Sequence, residues 1–257
     1  MNLGIIQGRL SRPVNGHIQE FPDNWMDEFV ILNECGLSHI EWLITKGSCN
    51  TNPAFDDDVF LQDLPISSLC ADTMVDERIT NRTYVDYYLT PICESAVRNG
   101  IDMVTIPLLE GSSVQDPKIR NDFKNIIWKF AKRYPNLKFS FECELSIDAL
   151  REILELSNNF NVTYDTGNIT SYGLDHEEYI ETFYEKIVNV HLKDRTFDAK
   201  TVYPGTGDTN FKIIFDKLSF MGYNGPYTMQ TARGPEGQEI ETVLKHKKIL
   251  EELYSAK

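Results

Sequence analysis

Four short β-rich segments of this 257-residue chain carry side chains able to ligate a metal: Glu142 in KFSFECE, Asp165 in VTYDTG, His191 in VNVHLKD and Gln230 in YTMQTA. Strand alternation puts Ser140, Glu142 and Glu144 on one face and Phe139, Phe141 and Cys143 on the other. The aromatic face should meet helices, so the carboxylates point inward. The same period sets Asp165 opposite Tyr164, sets Asn189, His191 and Lys193 opposite Val188, Val190 and Leu192, and sets Thr228 and Gln230 opposite Tyr227 and Met229. Two carboxylates, an imidazole and an amide converging on one rim would ligate a divalent cation and leave a position for substrate. The same residues also suit separate buried polar groups, each satisfied by its own hydrogen bonds.

The elements that must position them alternate along the chain. Strand-like runs fall near 3–10, 39–44, 66–72, 103–109, 138–144, 162–167, 188–194 and 227–232. Helical stretches lie between them, at 24–34, 53–62, 84–99, 116–134, 147–156, 175–184, 211–221 and 240–254. Gly36, Gly100, Pro135 and Gly222 sit where helices should stop. Eight such alternations average about 32 residues, the size of one βα repeat. The expectation is an α/β fold, a (β/α)8 TIM barrel, with residues 1–257 as a single domain. An open doubly wound sheet would also alternate, but no GxGxxG follows a strand and no linker divides the chain. Polar residues late in each strand then gather at the barrel mouth.

Composition bounds the partners. Lys and Arg total 25 against 39 for Asp and Glu, and a net charge of −14 repels a polyanion, so no nucleic-acid partner is expected. Apolar residues at 41% and charged residues at 25% exclude a disordered chain. No apolar run approaches the ~18 residues of a membrane span, and the opening Met-Asn-Leu-Gly-Ile-Ile lacks a basic signal-like region. The reading is a cytoplasmic protein with no membrane partner. Five scattered cysteines without a CxxC pair fit a reducing compartment and offer no thiolate zinc site.

The segments QGRLSRP, GLSHIEWL, SLCAD, FECEL, YDTGN, HLKDR, GTGD, GYNGPY and TARG follow in order over nearly the whole chain. Together they resemble the xylose isomerase-like TIM-barrel superfamily, and within it the bacterial sugar phosphate isomerase/epimerase group. The resemblance implies a metal (Mn, Mg, Zn or Co) held by Glu142, Asp165 and His191, with Gln230 where a second Glu is usual. It also implies a small-molecule sugar or sugar phosphate as partner and, since such barrels often pair, a homo-oligomer. The Gln departure lowers the formal ligand charge from −3 to −2, which weakens the pull on a hard dication. An amide also cannot accept a proton. Epimerisation across two faces of a carbon needs two bases, whereas isomerisation through a cis-enediol needs one, so Glu142 alone serves an isomerase unless Glu41, Glu144 or Asp72 supplies the second. Lys193 is positioned to neutralise the substrate oxyanion.

Supporting roles follow from position. Arg9, Arg195 and Arg233 come after strands 1, 7 and 8 and either reach an anionic group such as a substrate phosphate or act as loop arginines. Glu41, placed at the end of strand 2, Asp72 and Asn168 are either substrate contacts or structural partners. His39 reads as structural, and His17 as the other histidine able to visit the site. GTGD at 205–208 reads as a turn more than as a phosphate loop. The rival functions are a sugar or inosose dehydratase and a sugar-binding barrel that Gln230 leaves without turnover. An abasic-site endonuclease needs more histidines and less negative charge.

Overall fold

The computed structural model describes residues 1–75 and 79–255. Eight parallel strands close in the order β1 (Leu3–Ile6), β10 (Tyr227–Met229), β7 (Ile187–Leu192), β6 (Phe160–Asp165), β5 (Lys138–Cys143), β4 (Met103–Leu108), β3 (Ile66–Cys70) and β2 (Ile40–Leu43). The expected barrel is therefore the observed fold. Its strands are buried along nearly their whole length, as parallel strands flanked by helices must be. Flanking helices are α1 (Trp25–Glu34), α2 (Arg82–Arg98), α3 (Pro117–Ala131), α4 (Ile147–Leu154), α6 (His176–Phe183), α7 (Phe211–Phe220) and α8 (Glu239–Ser255). Local chemistry starts them where they start: Asp116 accepts from the Lys118 and Ile119 N–H groups with Pro117 at the first position, and Ser146 and Asp175 cap α4 and α6.

Three expectations are corrected. The helix read over 53–62 shrinks to one 3-10 turn, Pro53–Phe55, because the acidic Asp56, Asp57 and Asp58 that follow supply no apolar stripe to hold a helix on the barrel. The strand-like run read over 162–167 ends at Asp165, and Thr166 opens a seven-residue helix α5 (Thr166–Tyr172) that was not expected, closed by Gly173 in the left-handed region at φ 75°. The run read over 188–194 breaks after Leu192, and its last residue opens a small antiparallel pair, β8 (Asp194–Arg195) with β9 (Thr201–Val202), the latter where no strand was expected.

The chain divides into two compact units. In Met1–Ile40 with Tyr164–Lys257, β10 pairs with β1 (Leu3↔Tyr227) and with β7 (Thr228↔His191). Inside that sheet His39 Nε2 lies 3.2 Å from Thr228 Oγ1, which donates to Asn189 Oδ1 at 3.1 Å. A Cβ on Gly4 would come within 2.3 Å of the His39 ring, so β1 tolerates only glycine there. His39 is thus a packed interior residue. In Glu41–Thr163, β4 pairs with β5 (Thr105↔Ser140, Pro107↔Glu142), and Phe123, Phe130, Phe139, Phe141 and Phe160 meet edge to face behind β5. The aromatic face of KFSFECE therefore packs outward, and Ser140 and Glu142 take the opposite side.

Candidate metal centre

Asp165 ends β6 and at the same time caps α5, its Oδ1 accepting the Asn168 N–H at 2.8 Å. Its Oδ2 lies 2.7 Å from Lys193 Nζ and 4.0 Å from His191 Nδ1. His191 is fully buried on β7, and Lys193 follows on the same face, 7% exposed. The residues after Asp165 fasten Lys193 as well. Thr166 Oγ1 donates to the Lys193 carbonyl at 2.6 Å and accepts its N–H at 3.0 Å. At Gly167 an added Cβ would stand 3.0 Å from Lys193 Cγ, so glycine lets α5 close over the lysine stem. Asn168, fully buried, stands in the first turn of α5.

Gln230 is one residue past β10, where its N–H donates to Leu192 O at 3.1 Å. Thr228 is the register partner of His191, so Gln230 comes beside Lys193 on the same face. Its Oε1 is buried and, among the described residues, has no hydrogen-bond partner.

On β5, Glu142 is 2% exposed and in register with Pro107. Glu41 is not at the end of its strand, as the sequence reading had it, but second in β2. Its Oε1 accepts from Ser68 Oγ at 2.7 Å and Thr105 Oγ1 at 2.6 Å. Since Thr105 is level with Ser140, two residues before Glu142, Glu41 is engaged one layer deeper than Glu142. Asp72 opens a 3-10 turn after β3 and is half-buried. Glu144 is also half-buried, past the end of β5.

Glu142, Asp165 and His191 are all buried, and each offers a ligand atom such that the three atoms lie within 4.8 Å of one another. Two carboxylates and an imidazole suit a Zn, Mn or Co ion by softness and charge. The buried Gln230 Oε1 is an oxygen donor of the kind such an ion satisfies, so the residues present fit a divalent metal.

The arginines have other company. Arg9 donates from Nε to Thr231 O at 3.2 Å and from Nη1 to Ile18 O. Arg233 donates to Ile18 O at 3.1 Å, Gly8 O at 2.8 Å and Ser11 O at 3.4 Å. Both hold the loop after β1, which Glu28 also ties down by accepting the Gly8 and Leu10 N–H groups; burial nonetheless raises the Glu28 carboxyl above its ordinary range. Arg195 Nη1 reaches Ser171 Oγ at 3.4 Å. His17 is exposed, its N–H on Glu20 Oε1 at 2.7 Å.

Sequence reasoning passed over two features. The Thr166 and Gly167 contacts to Lys193 were written in DTGN, whose spacing gave no sign of a helix. In GTGD the amides of Gly205, Thr206 and Gly207 point at Asp194 Oδ2 (2.8, 3.1 and 2.9 Å), and Thr209 N–H points at Oδ1 at 3.2 Å. The loop is an anion nest, and the chain's own carboxylate fills it.

Comparison with known proteins agrees with this architecture. The structure of the IOLI protein with a zinc atom aligns at TM-score 0.75 and 16% identity, over 99% of this chain and 98% of that one. An L-ribulose 3-epimerase aligns at TM-score 0.73 and 14% identity, over 98% and 94%. An inosose dehydratase of Geobacillus thermodenitrificans is 26% identical over 125 residues, 41% of this chain and 42% of that one. The chain spans less than half the length, 32% and 42%, of the curated relatives it matches. The profile of the xylose isomerase-like TIM barrel matches residues 93–251, and the chain belongs to that family.

Proposed function

We propose that this chain is a divalent-metal-dependent isomerase or epimerase of a sugar or sugar phosphate, acting by proton abstraction next to a carbonyl. The observation that carries this reading is the buried trio Glu142, Asp165 and His191 with ligand atoms within 4.8 Å. Gln230 would complete the ligand set through Oε1. When bound, the cation supplies Lewis-acid polarisation of the carbonyl and offsets the charge of the enediolate. Glu142 takes the carbon-bound proton and returns it to the neighbouring carbon on the same face, while the proton of the adjacent hydroxyl passes to the former carbonyl oxygen, one carboxylate being enough for aldose–ketose exchange. His191 and Asp165 hold the cation, and Lys193 places its ammonium toward the developing oxyanion. Asn168, Arg195 and Asp72 are the proposed substrate contacts. Glu41, engaged by two hydroxyls, is a second base only for a substrate that reaches that deeper layer. Arg9 and Arg233 shape the rim by fixing the loop after β1. Four buried free thiols, Cys35, Cys70, Cys93 and Cys143, fit the proposed cytoplasmic setting.

The test is solvent deuterium incorporation by Mn²⁺-loaded protein against a panel of pentoses, hexoses, uronic sugars and their phosphates. Exchange into one of them, abolished by Glu142→Gln with circular dichroism unchanged, is the expected outcome. No exchange with any sugar would leave a binding barrel without turnover.

A dehydratase is the second reading, favoured by the 26% identity to the inosose dehydratase over 125 residues. It begins with the same proton abstraction, and loss of water in place of rearrangement would distinguish it.

A further inference from the structure

We propose that Lys193 is a resident cation of the metal centre, competing with the divalent ion for Asp165 and so setting its affinity. The inference rests on the metal-dependent reading above and concerns how that site is charged.

Asp165 has two carboxylate oxygens. The backbone of α5 takes Oδ1 through the Asn168 N–H, and Lys193 Nζ stands 2.7 Å from Oδ2, the oxygen nearest His191. Side-chain exposures of 9% for Lys193 and 1% for Asp165 make this a buried ion pair, in which water does little to screen the charges. A dication drawing on Oδ2 meets an ammonium already there.

The pairing is built in, because the sequence Asp165-Thr166-Gly167 spends all three residues on Lys193. The carboxylate faces its ammonium, the Thr166 hydroxyl bonds its backbone N–H and carbonyl, and the missing Cβ of Gly167 makes room for its stem. DTG and HLK are in this sense one structural unit. Gln230 reinforces the effect: with Glu142 and Asp165 as the ligand carboxylates, one lysine cancels half of the formal ligand charge, and the neutral amide restores none.

Two consequences follow. Without a metal the lysine holds the Asp165 carboxylate in place, and metal entry frees the ammonium from Asp165 for a negatively charged oxygen of the substrate. Metal and anionic ligand then bind with positive coupling.

The experiment measures Mn²⁺ affinity by calorimetry and by the electron paramagnetic resonance signal of free Mn²⁺, on wild type, Lys193→Met and Lys193→Arg. Met keeps the stem against Gly167 and removes the charge; Arg keeps the charge. Lys193→Met is expected to bind Mn²⁺ about tenfold tighter, within the usual range of coupling between sites, and to gain a larger metal-induced rise in Tm. Lys193→Arg should stay near wild type. If Lys193→Met does not fold, Lys193→Gln provides the same comparison. Binding by the variant but not by wild type would support the proposal most strongly. Equal or weaker binding by a folded Lys193→Met overturns the proposal and leaves the metal-dependent function standing. If no variant and no wild-type sample binds Mn²⁺, Zn²⁺ or Co²⁺, both fall.

Discussion

Gly207 donates its N–H to Asp194 Oδ2 at 2.9 Å, and a Cβ at Gly207 would fall 2.4 Å from Asp194 Oδ1. Asp194 is fully buried one residue beyond Lys193, so the end of β7 and the loop at 203–209 are set by a single carboxylate. Asp194→Asn places an amide against four backbone donors. The expected loss is roughly 3 kcal/mol, the scale of charge-assisted bonds broken and donors left unsatisfied. Urea denaturation checks it, and a midpoint unchanged from wild type would count against the nest as a structural tie.

Gln230→Glu adds a carboxylate where a buried amide oxygen now lacks a partner among the described residues. Mn²⁺ or Mg²⁺ binding is expected to tighten by about tenfold or more, since each added charge strengthens a hard-cation site. Calorimetry reads this directly. Unchanged affinity would put Gln230 outside the ligand set.

Arg233 donates to three loop carbonyls, Gly8, Ser11 and Ile18. Arg233→Ala is therefore expected to cost about 1–3 kcal/mol of stability and to speed proteolysis within residues 8–18. It should change KM for a phosphorylated and an unphosphorylated sugar by similar factors. A KM effect confined to the phosphorylated sugar would instead make Arg233 a phosphate contact.

Burial holds His176 at about 4 and His246 at about 4, both below the ordinary 6.5. His176 lies between the Tyr164 hydroxyl and Thr170 Oγ1, and His246 bonds Thr231 Oγ1 at 2.9 Å under the Tyr203 ring. The folded chain keeps both neutral while the unfolded chain takes up protons near 6.5, so stability present above that pH is lost as pH falls toward 4. Thermal melts across this window should show the decline, and a His176→Phe variant should show a shallower one. Equal slopes in the two proteins would rule His176 out as a source.

Strand and helix order was legible because inward polar and outward apolar residues alternate cleanly in KFSFECE, VNVHLKD and YTMQTA, and because Asp116, Ser146 and Asp175 announce helix starts. The elements that went unread share a cause in length. Helix α5 is seven residues long with Gly167 inside it, and β8 and β9 have two residues each, too short for any period to register. Among site residues, alternation set the facing of Glu142, Asp165 and His191. It was silent on reach: Arg9 and Arg233 are bonded to carbonyls far away in sequence, and Glu41 to hydroxyls on two other strands. Long polar side chains choose partners through tertiary proximity, which a one-dimensional pattern does not encode.

The unit formed by Met1–Ile40 and Tyr164–Lys257 draws on both arms of the chain, and its strand pairing β1–β10 is cross-stitched by Arg9 to Thr231 O and Arg233 to Gly8 O. A ribosome extruding this polypeptide must hold the β10 side of the first strand without its neighbour until some 220 further residues have emerged. Closing that seam is a late act of biogenesis, and the exposed edge of the waiting strand is where a chaperone has most to protect.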